Sequence, residues 1–270
     1  MLDNVIGDYT RLSTAVYHLQ NFYVRSLNEN THARNYLNND RLFTDQTIQE
    51  LGIGLDPGAN DLLKSAGLNV LKDLEDTRIV LEIESEDFVS IFHNRITFPI
   101  LDLGGNTIGF TCRVWNSNNP DEAKYKNSPL SSLFQKSHVL YNLYHALPYI
   151  EQLGYVIIVE GASDVAKMWQ YGIRNVVAPC GTSLMLHQVL ILLNFTKNIV
   201  TIFDSDIAGR KATERAMYMF KEFDIPFNNL PLHNVPGKEK TDPDEYLMYW
   251  GIDNFNIQMN HLFQNEWNYE

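Results

Sequence analysis

The sequence has little cysteine, no long apolar run and no surplus of basic charge, and each shortage removes a class of protein. Two cysteines, Cys112 and Cys180, in 270 residues cannot by themselves build a four-cysteine zinc ribbon or a disulfide framework. A reducing cytoplasm is therefore the expected setting, with no zinc bound by this chain. The longest apolar stretches, such as Leu190–Leu193, fall far short of a membrane span, and the first residues lack a signal peptide's basic-then-apolar layout, so no membrane partner is expected. Lysine and arginine number 21 against 33 aspartates and glutamates, a net charge of −12. That balance argues against a surface coated for general nucleic-acid binding. Internal repeats and low-complexity tracts are also absent.

What is present is the composition of a globular chain, 44% hydrophobic and 20% charged, long enough for one large domain or two small ones. Charge is distributed unevenly. Residues 73–87 hold seven acids (Asp73, Glu75, Asp76, Glu82, Glu84, Glu86, Asp87) against Arg78. Residues 88–140 reverse the sign, with Arg95, Arg113, Lys124, Lys126 and Lys136 against Asp102, Asp121 and Glu122. Taken alone, both segments read as solvated faces.

The spacing of Leu12, Val16, Leu19, Phe22 and Tyr23 predicts helix over 9–38, and Thr44–Asp45 is placed to cap a short helix ending at Leu51. A further helix is expected at about 59–66. Ile96–Leu101, Gly104–Gly105–Asn106 and Thr107–Trp115 then have the grammar of a hairpin. After a boundary expected at Leu153–Gly154 the pattern changes. Apolar runs Tyr155–Val159, Asn175–Ala178 and Ile199–Phe203 alternate with helices expected at Ala162–Tyr171, Ser183–Phe195 and Ile207–Phe223. Strand and helix in this rhythm imply parallel strands with crossover helices.

In such a sheet ligands collect beyond the carboxyl ends of the strands. Glu160 follows the first run and Asp164 lies one turn into the next helix. Asp204 and Asp206 follow the third run, and Asp242 and Asp244 flank Pro243 in a later loop. Each acid alone is a good helix N-cap, Asp206 and Asp242 above all. Six carboxylates on one rim would repel, and a hard divalent cation with oxygen ligands, Mg²⁺ or Mn²⁺, would relieve them.

Glu160–Gly161, Asp204-x-Asp206 and Ala208–Gly209–Arg210–Lys211–Ala212 resemble the Toprim domain of topoisomerases, bacterial primases and several nucleases. Gly181–Thr182 and Asp242–Pro243–Asp244 are similar to its Gly-Thr turn and late acidic motif. Upstream, Arg95–Ile96–Thr97–Phe98–Pro99–Ile100, Ile108–Gly109–Phe110 with Arg113, and Lys124–Tyr125–Lys126–Asn127–Ser128–Pro129 with Lys136 resemble the segment preceding Toprim in DnaG-type primases. Ala33–Arg34–Asn35–Tyr36–Leu37 and Leu51–Gly52–Ile53–Gly54–Leu55 are similar to the early helical region, so the resemblance runs through nearly the whole chain.

The resemblance implies an α/β protein. An N-terminal basic α+β subdomain would span 1–154, a Rossmann-like parallel Toprim subdomain 155–250 and a helical tail 251–270, with one helix near Asp253–Phe263. It implies metal-assisted synthesis of short RNA primers from ribonucleoside triphosphates on single-stranded DNA. Glu160, Asp204 and Asp206 would be catalytic, and with Asp164, Asp242 and Asp244 would hold Mg²⁺ or Mn²⁺. Arg95, Arg113, Lys124, Asn127, Ser128 and Lys136 would bind nucleotide or DNA. A replicative helicase and a separate zinc-binding subunit are the implied partners, in a bacterial cell or, for a phage-type primase, its infected host. This sequence departs from the family at His93, where a second arginine is common, at Thr111–Cys112 in place of a glycine pair, and at Ser205 in place of a glycine. A metal-dependent Toprim nuclease and a non-catalytic primase-like replication factor are the competing readings; a topoisomerase would need more chain.

Overall fold

The computed structural model describes residues 2–58, 67–84, 87–117, 119, 121–181 and 183–266. The helix expected at 59–66, Glu86, Thr182 and the last four residues lie outside the described residues. By internal packing the chain divides into two compact units, Met1–Val139 and Leu140–Glu270.

The first unit opens with α1 (Leu2–Glu29), which buries Leu12, Val16, Leu19, Tyr23 and Leu27 along one face. The single helix expected over 9–38 is interrupted because Asn30 leaves the helical path and its side chain caps α2 (Thr31–Asn35), accepting from the Ala33 amide at 2.9 Å. A π-helical turn at Tyr36–Asp40 follows. Thr44 caps α3 (Asp45–Glu50) through the Thr47 amide, as its position predicts. β1 (Gly54–Asp56) leads on to α4 (Leu68–Asp76) and the hairpin β2 (Val80–Glu84) and β3 (Asp87–Ser90). Within the acidic segment, Asp73 and Asp76 of α4 accept from Arg11 of α1.

The expected hairpin is β4 (Arg95–Leu101) and β5 (Thr107–Val114), paired antiparallel with Ile96 opposite Arg113 and Phe98 opposite Thr111. Asp102 organises its turn by accepting from the amides of Gly104 and Asn106. β6 (Tyr125–Asn127) completes a four-stranded sheet in the order β1-β4-β5-β6. Tyr23 of α1 packs edge-on against Phe110 of β5, so the helix stripe and the sheet share one core.

The second unit begins earlier than the Leu153–Gly154 boundary expected from sequence. β7 (Leu140–Tyr141) pairs antiparallel with β9 (Val176–Pro179), and α5 (Leu143–Leu153) buries Leu143, Ala146 and Ile150 in the core of this unit. Apolar periodicity cannot assign such short elements to one neighbour or another; strand pairing does. β8 (Val156–Ile158), β9, β10 (Ile199–Thr201) and β11 (Asn228–Asn229) run parallel, in the sheet order β11-β10-β8-β9-β7. The intervening helices are α6 (Ala162–Gln170), α7 (Leu186–Leu192) and α8 (Ile207–Glu222). The alternation read from the sequence is therefore present, with each strand fully buried as crossover helices require. α9 (Pro243–Glu266) holds the expected C-terminal helix and is broken at Gly251, whose φ of 75° lies in the left-handed region open to glycine.

Candidate metal centre and basic residues

The acids of the second unit stand where the parallel strands end. Glu160 follows β8, and its Oε1 accepts from the backbone N–H of Asp204 at 3.0 Å, tying one strand end to the other. Asp164, in the first turn of α6, accepts from the Gly161 amide at 3.0 Å. Asp206 is the N-cap of α8 and accepts from the Gly209 amide at 2.8 Å. Asp242 does the same for α9 through the Glu245 amide at 2.8 Å. The capping role that each acid could have had is thus real for Asp206 and Asp242, and it fixes where their carboxylates stand.

The electrostatics show that these acids share a field. Burial first, and then the charges of Glu160 and Asp242, raise the Asp204 carboxyl to about 7, with Lys240 pulling the other way. Glu160 is raised by burial and by Asp206. Asp164 is held well above the usual carboxylate range by burial and then by Asp204, Asp242 and Glu160. Oδ1 of Asp204 is sealed from solvent and accepts no hydrogen bond from any described residue. Such an orphaned buried acceptor needs a partner.

Among the described residues no three acidic, histidine or cysteine side chains form a ready-made ligand cluster. The donors nonetheless fit a hard cation: they are all oxygens, they depress one another's ionisation, and one of them is unsatisfied. Asp244 is engaged by a buried cation. It is largely buried, and its Oδ1 lies 3.3 Å from Nζ of the buried Lys167 of α6.

The loop joining β11 to α9 is stapled to the Asp204–Asp206 segment. Ser205 Oγ donates to Asn234 Oδ1 at 2.5 Å and accepts from the Thr241 amide at 2.7 Å, while the Ser205 amide donates to the Thr241 carbonyl. Serine in place of glycine is thus put to structural use. The staple brings Lys240 Nζ to 3.8 Å from Asp206 Oδ2. A cavity of about 520 Å³ opens beside Asp204, with Phe203 and Leu232 as apolar walls and Arg210, Asn229 and His233 as polar ones.

The basic residues belong to the first unit, and the structure separates them into two kinds. Arg113 lies in β5 with its guanidinium donating to Tyr36 Oη at 3.1 Å and Tyr125 Oη at 2.9 Å. Lys124, exposed, extends its Nζ over the Tyr125 ring, and Lys136 opens a short 3₁₀ turn. Asn127 ends β6, and its buried Oδ1 accepts nothing among the described residues. Arg95 and Ser128, by contrast, are structural parts. Arg95 is 5% exposed and is consumed by the Ala123 carbonyl at 2.9 Å and Glu122 at 2.5 Å. Ser128 is 1% exposed, and its Oγ accepts from the Phe110 amide at 2.9 Å. Neither presents a donor outward, because short polar motifs read in sequence do not reveal which side chains the sheet consumes.

Lys167 and Lys240 were not legible as parts of the acidic site. Lys167 left one signal, a lone cation inside the apolar run Val165–Trp169; Lys240 left only its place two residues before Asp242.

Residues 22–147 match the family described as the N-terminal domain of the DNA primase catalytic core, and residues 154–228 match the Toprim domain. A DNA primase of Lactococcus lactis is 33% identical over 242 residues, covering 89% of this chain and 37% of its own length. The solved E. coli primase catalytic core is 30% identical with a TM-score of 0.78, covering 94% of this chain and 79% of that one. A DnaG primase catalytic domain solved bound to single-stranded DNA is 29% identical with a TM-score of 0.80, covering 95% and 82%. Fold and acidic site thus define a Toprim protein. The chain belongs to the DnaG-type primase family, as the catalytic core with its Toprim domain. It spans somewhat more than a third of the length of the curated relatives it matches.

Proposed function

We propose that this chain carries out primer synthesis, joining ribonucleoside triphosphates into short RNA on a single-stranded DNA template. The observation that carries this reading is the coupled pair Glu160 and Asp204 at adjoining strand ends, with the unsatisfied Oδ1 of Asp204 between charges that raise its proton affinity. Glu160, Asp204, Asp206 and Asp242 would hold Mg²⁺ or Mn²⁺, with Asp164 behind them. A divalent cation bound there neutralises triphosphate oxygens and lowers the pKa of the attacking 3′-hydroxyl.

The protein's own part is positioning. Gly209, Ser205 and the Glu160–Asp204 hydrogen bond hold the carboxylates before substrate arrives, so no reorganisation is needed at the moment of transfer. Arg113, Lys124 and Lys136 supply the positive charge that phosphate oxygens need, and Asn127 a neutral hydrogen-bonding group. The cavity beside Asp204 has the volume of a small-molecule site. The relative solved with single-stranded DNA supports the template assignment. With so few basic residues the template is held weakly, which fits a chain that works with a replicative helicase and a separate zinc-binding subunit in the cytoplasm of a bacterium or its phage-infected counterpart. Among the described residues no helix is long and apolar enough to cross a membrane.

The test is primer synthesis on mixed-sequence single-stranded DNA with labelled ribonucleotides and Mg²⁺ or Mn²⁺, beside Asp204→Asn. Short RNA from the parent chain, reduced at least a hundredfold in the variant, is expected. Template cleavage without synthesis would turn the assignment to a nuclease, and synthesis undiminished in the variant would overturn the role of Asp204.

A further inference from the structure

Thr241 is fully buried, and the loop that leads to it is closed on itself. The Val235 amide donates to Thr241 Oγ1 at 2.8 Å, and Asn234 Nδ2 donates to the Glu239 carbonyl at 3.3 Å. Together with the bonds from Ser205, these fix the backbone on either side of residue 240 against the Asp204–Asp206 segment. Lys240 leaves this clamped backbone with its side chain 56% exposed and its Nζ 3.8 Å from Asp206 Oδ2. An ion pair so long and so exposed contributes little to stability, so folding alone does little to account for the placement. Lys238, by contrast, is held by Glu245 at 2.6 Å. The charge of Lys240 also reaches past Asp206, lowering the proton affinity of Glu160 and Asp204.

We propose that Lys240 is a substrate-binding residue, which holds the β- and γ-phosphates of the incoming ribonucleoside triphosphate at the Asp204–Asp206 edge of the site and neutralises them as they leave as pyrophosphate. The inference rests on the primer-synthesis reading of that site. Carboxylates that hold a divalent cation offset its charge, while a triphosphate brings several negative charges more, so a further cation is needed beside the ligands. A lysine ammonium on its flexible stem can turn from Asp206 to a phosphate oxygen without moving the backbone, and as a point charge it needs no fixed approach. In transfer, the 3′-oxygen bonds to the α-phosphorus, its proton passes to water, and the bond from the α-phosphorus to the bridging oxygen breaks. The charge released collects on the pyrophosphate, which Lys240 holds.

The experiment measures binding of ATP and of AMP to the whole chain, without template and in saturating Mn²⁺, for the parent, Lys240→Gln and Lys240→Arg. Lys240→Gln should weaken ATP binding about tenfold, through loss of a charge-assisted contact, and leave AMP within about twofold. It should melt within about 2 °C of the parent, because the side chain is exposed and its ion pair weak. Lys240→Arg keeps the charge and should return ATP binding to within about threefold of the parent. Inhibition of primer synthesis by added pyrophosphate should weaken in Lys240→Gln by about the same factor as ATP binding.

A Lys240→Gln chain that binds ATP within about threefold of the parent, whatever its affinity for Mn²⁺ alone, overturns the proposal and leaves Lys240 a counter-cation of the acids. Equal losses for ATP and AMP would do the same, by placing the lysine at the α-phosphate. Reductive methylation of the unsubstituted chain, read by mass spectrometry, gives an independent reading. In Mn²⁺, ATP should shield Lys240 several-fold and AMP should not; equal reactivity with the two nucleotides refutes the contact. A parent chain that binds no ATP overturns the primer-synthesis reading and this inference with it, whereas ATP binding untouched by Lys240→Gln strikes the lysine alone.

Discussion

Asp204 shows how much of the chemistry sits in single side chains. Its folded carboxyl titrates at about 7 because burial and neighbouring acids disfavour the charge. In the unfolded chain the same group titrates around pH 4. Between these values the native state binds the extra proton, so this group's contribution to stability is lost as pH rises from about 4 to 7. In chelator, Asp204→Asn should therefore gain stability relative to the parent chain between pH 5 and pH 8, measured as a widening difference in melting temperature. A difference that stays constant across that range would refute the shift. The same proton competes with a divalent cation, so Mn²⁺ affinity should fall as pH is lowered below 7. Ser128 makes the opposite case, a motif residue turned inward. Replacing it with alanine leaves the buried Phe110 amide unsatisfied and should cost about 1–2 kcal/mol in urea unfolding. Nucleotide affinity should not change; a loss of affinity without loss of stability would restore Ser128 to the binding surface.

At the scale of elements, the decisive contact is between the start of α8 and the end of the strand before it. Gly209 has no room for a side chain: a Cβ there would lie 2.0 Å from the Asp204 carbonyl oxygen and 2.7 Å from its carbon. Both atoms belong to the backbone, so nothing can rotate away. Gly209→Ala should destabilise by about 2–3 kcal/mol in urea unfolding, through overpacking. In the protein that remains folded it should lower primer synthesis roughly tenfold or more by displacing Asp204. Unchanged synthesis in a stable Gly209→Ala chain would show that the close approach does not position the acid. The staple from Ser205 to the 234–241 loop acts at the same scale, since it carries Lys240 to the edge of the acidic site without any contribution from regular secondary structure.

For the whole molecule, a net charge of −12, with Arg113, Lys124 and Lys136 as the proposed phosphate contacts, predicts weak, salt-sensitive DNA binding. Three phosphate contacts, from Arg113, Lys124 and Lys136, correspond to a slope of about −2 in log affinity against log salt for a single strand. Fluorescence anisotropy with labelled single-stranded DNA should give that slope, and Lys124→Ala should lower it by about 0.7. A slope several times steeper would mean that other cations carry the template.

The alternation of apolar runs with amphipathic stretches after Tyr155 determined the parallel sheet, and the acids placed just beyond those runs determined where the candidate site lies. The stripe from Leu12 to Tyr23 and the hairpin around Gly105 were legible for the same reason: local periodicity and turn chemistry depend on neighbours in the chain. The start of the second unit, the break at Asn30 and the fate of Arg95 and Ser128 were not, because each depends on a partner far away in sequence. The acidic site divides along the same line. Carboxylates at strand ends are a property of the sequence. That Asp204 is left with an unsatisfied oxygen, and that Lys167 comes within 3.3 Å of Asp244, was decided by the tertiary structure, because burial and charge pairing exist only once α6, α8 and α9 have closed around the strand ends.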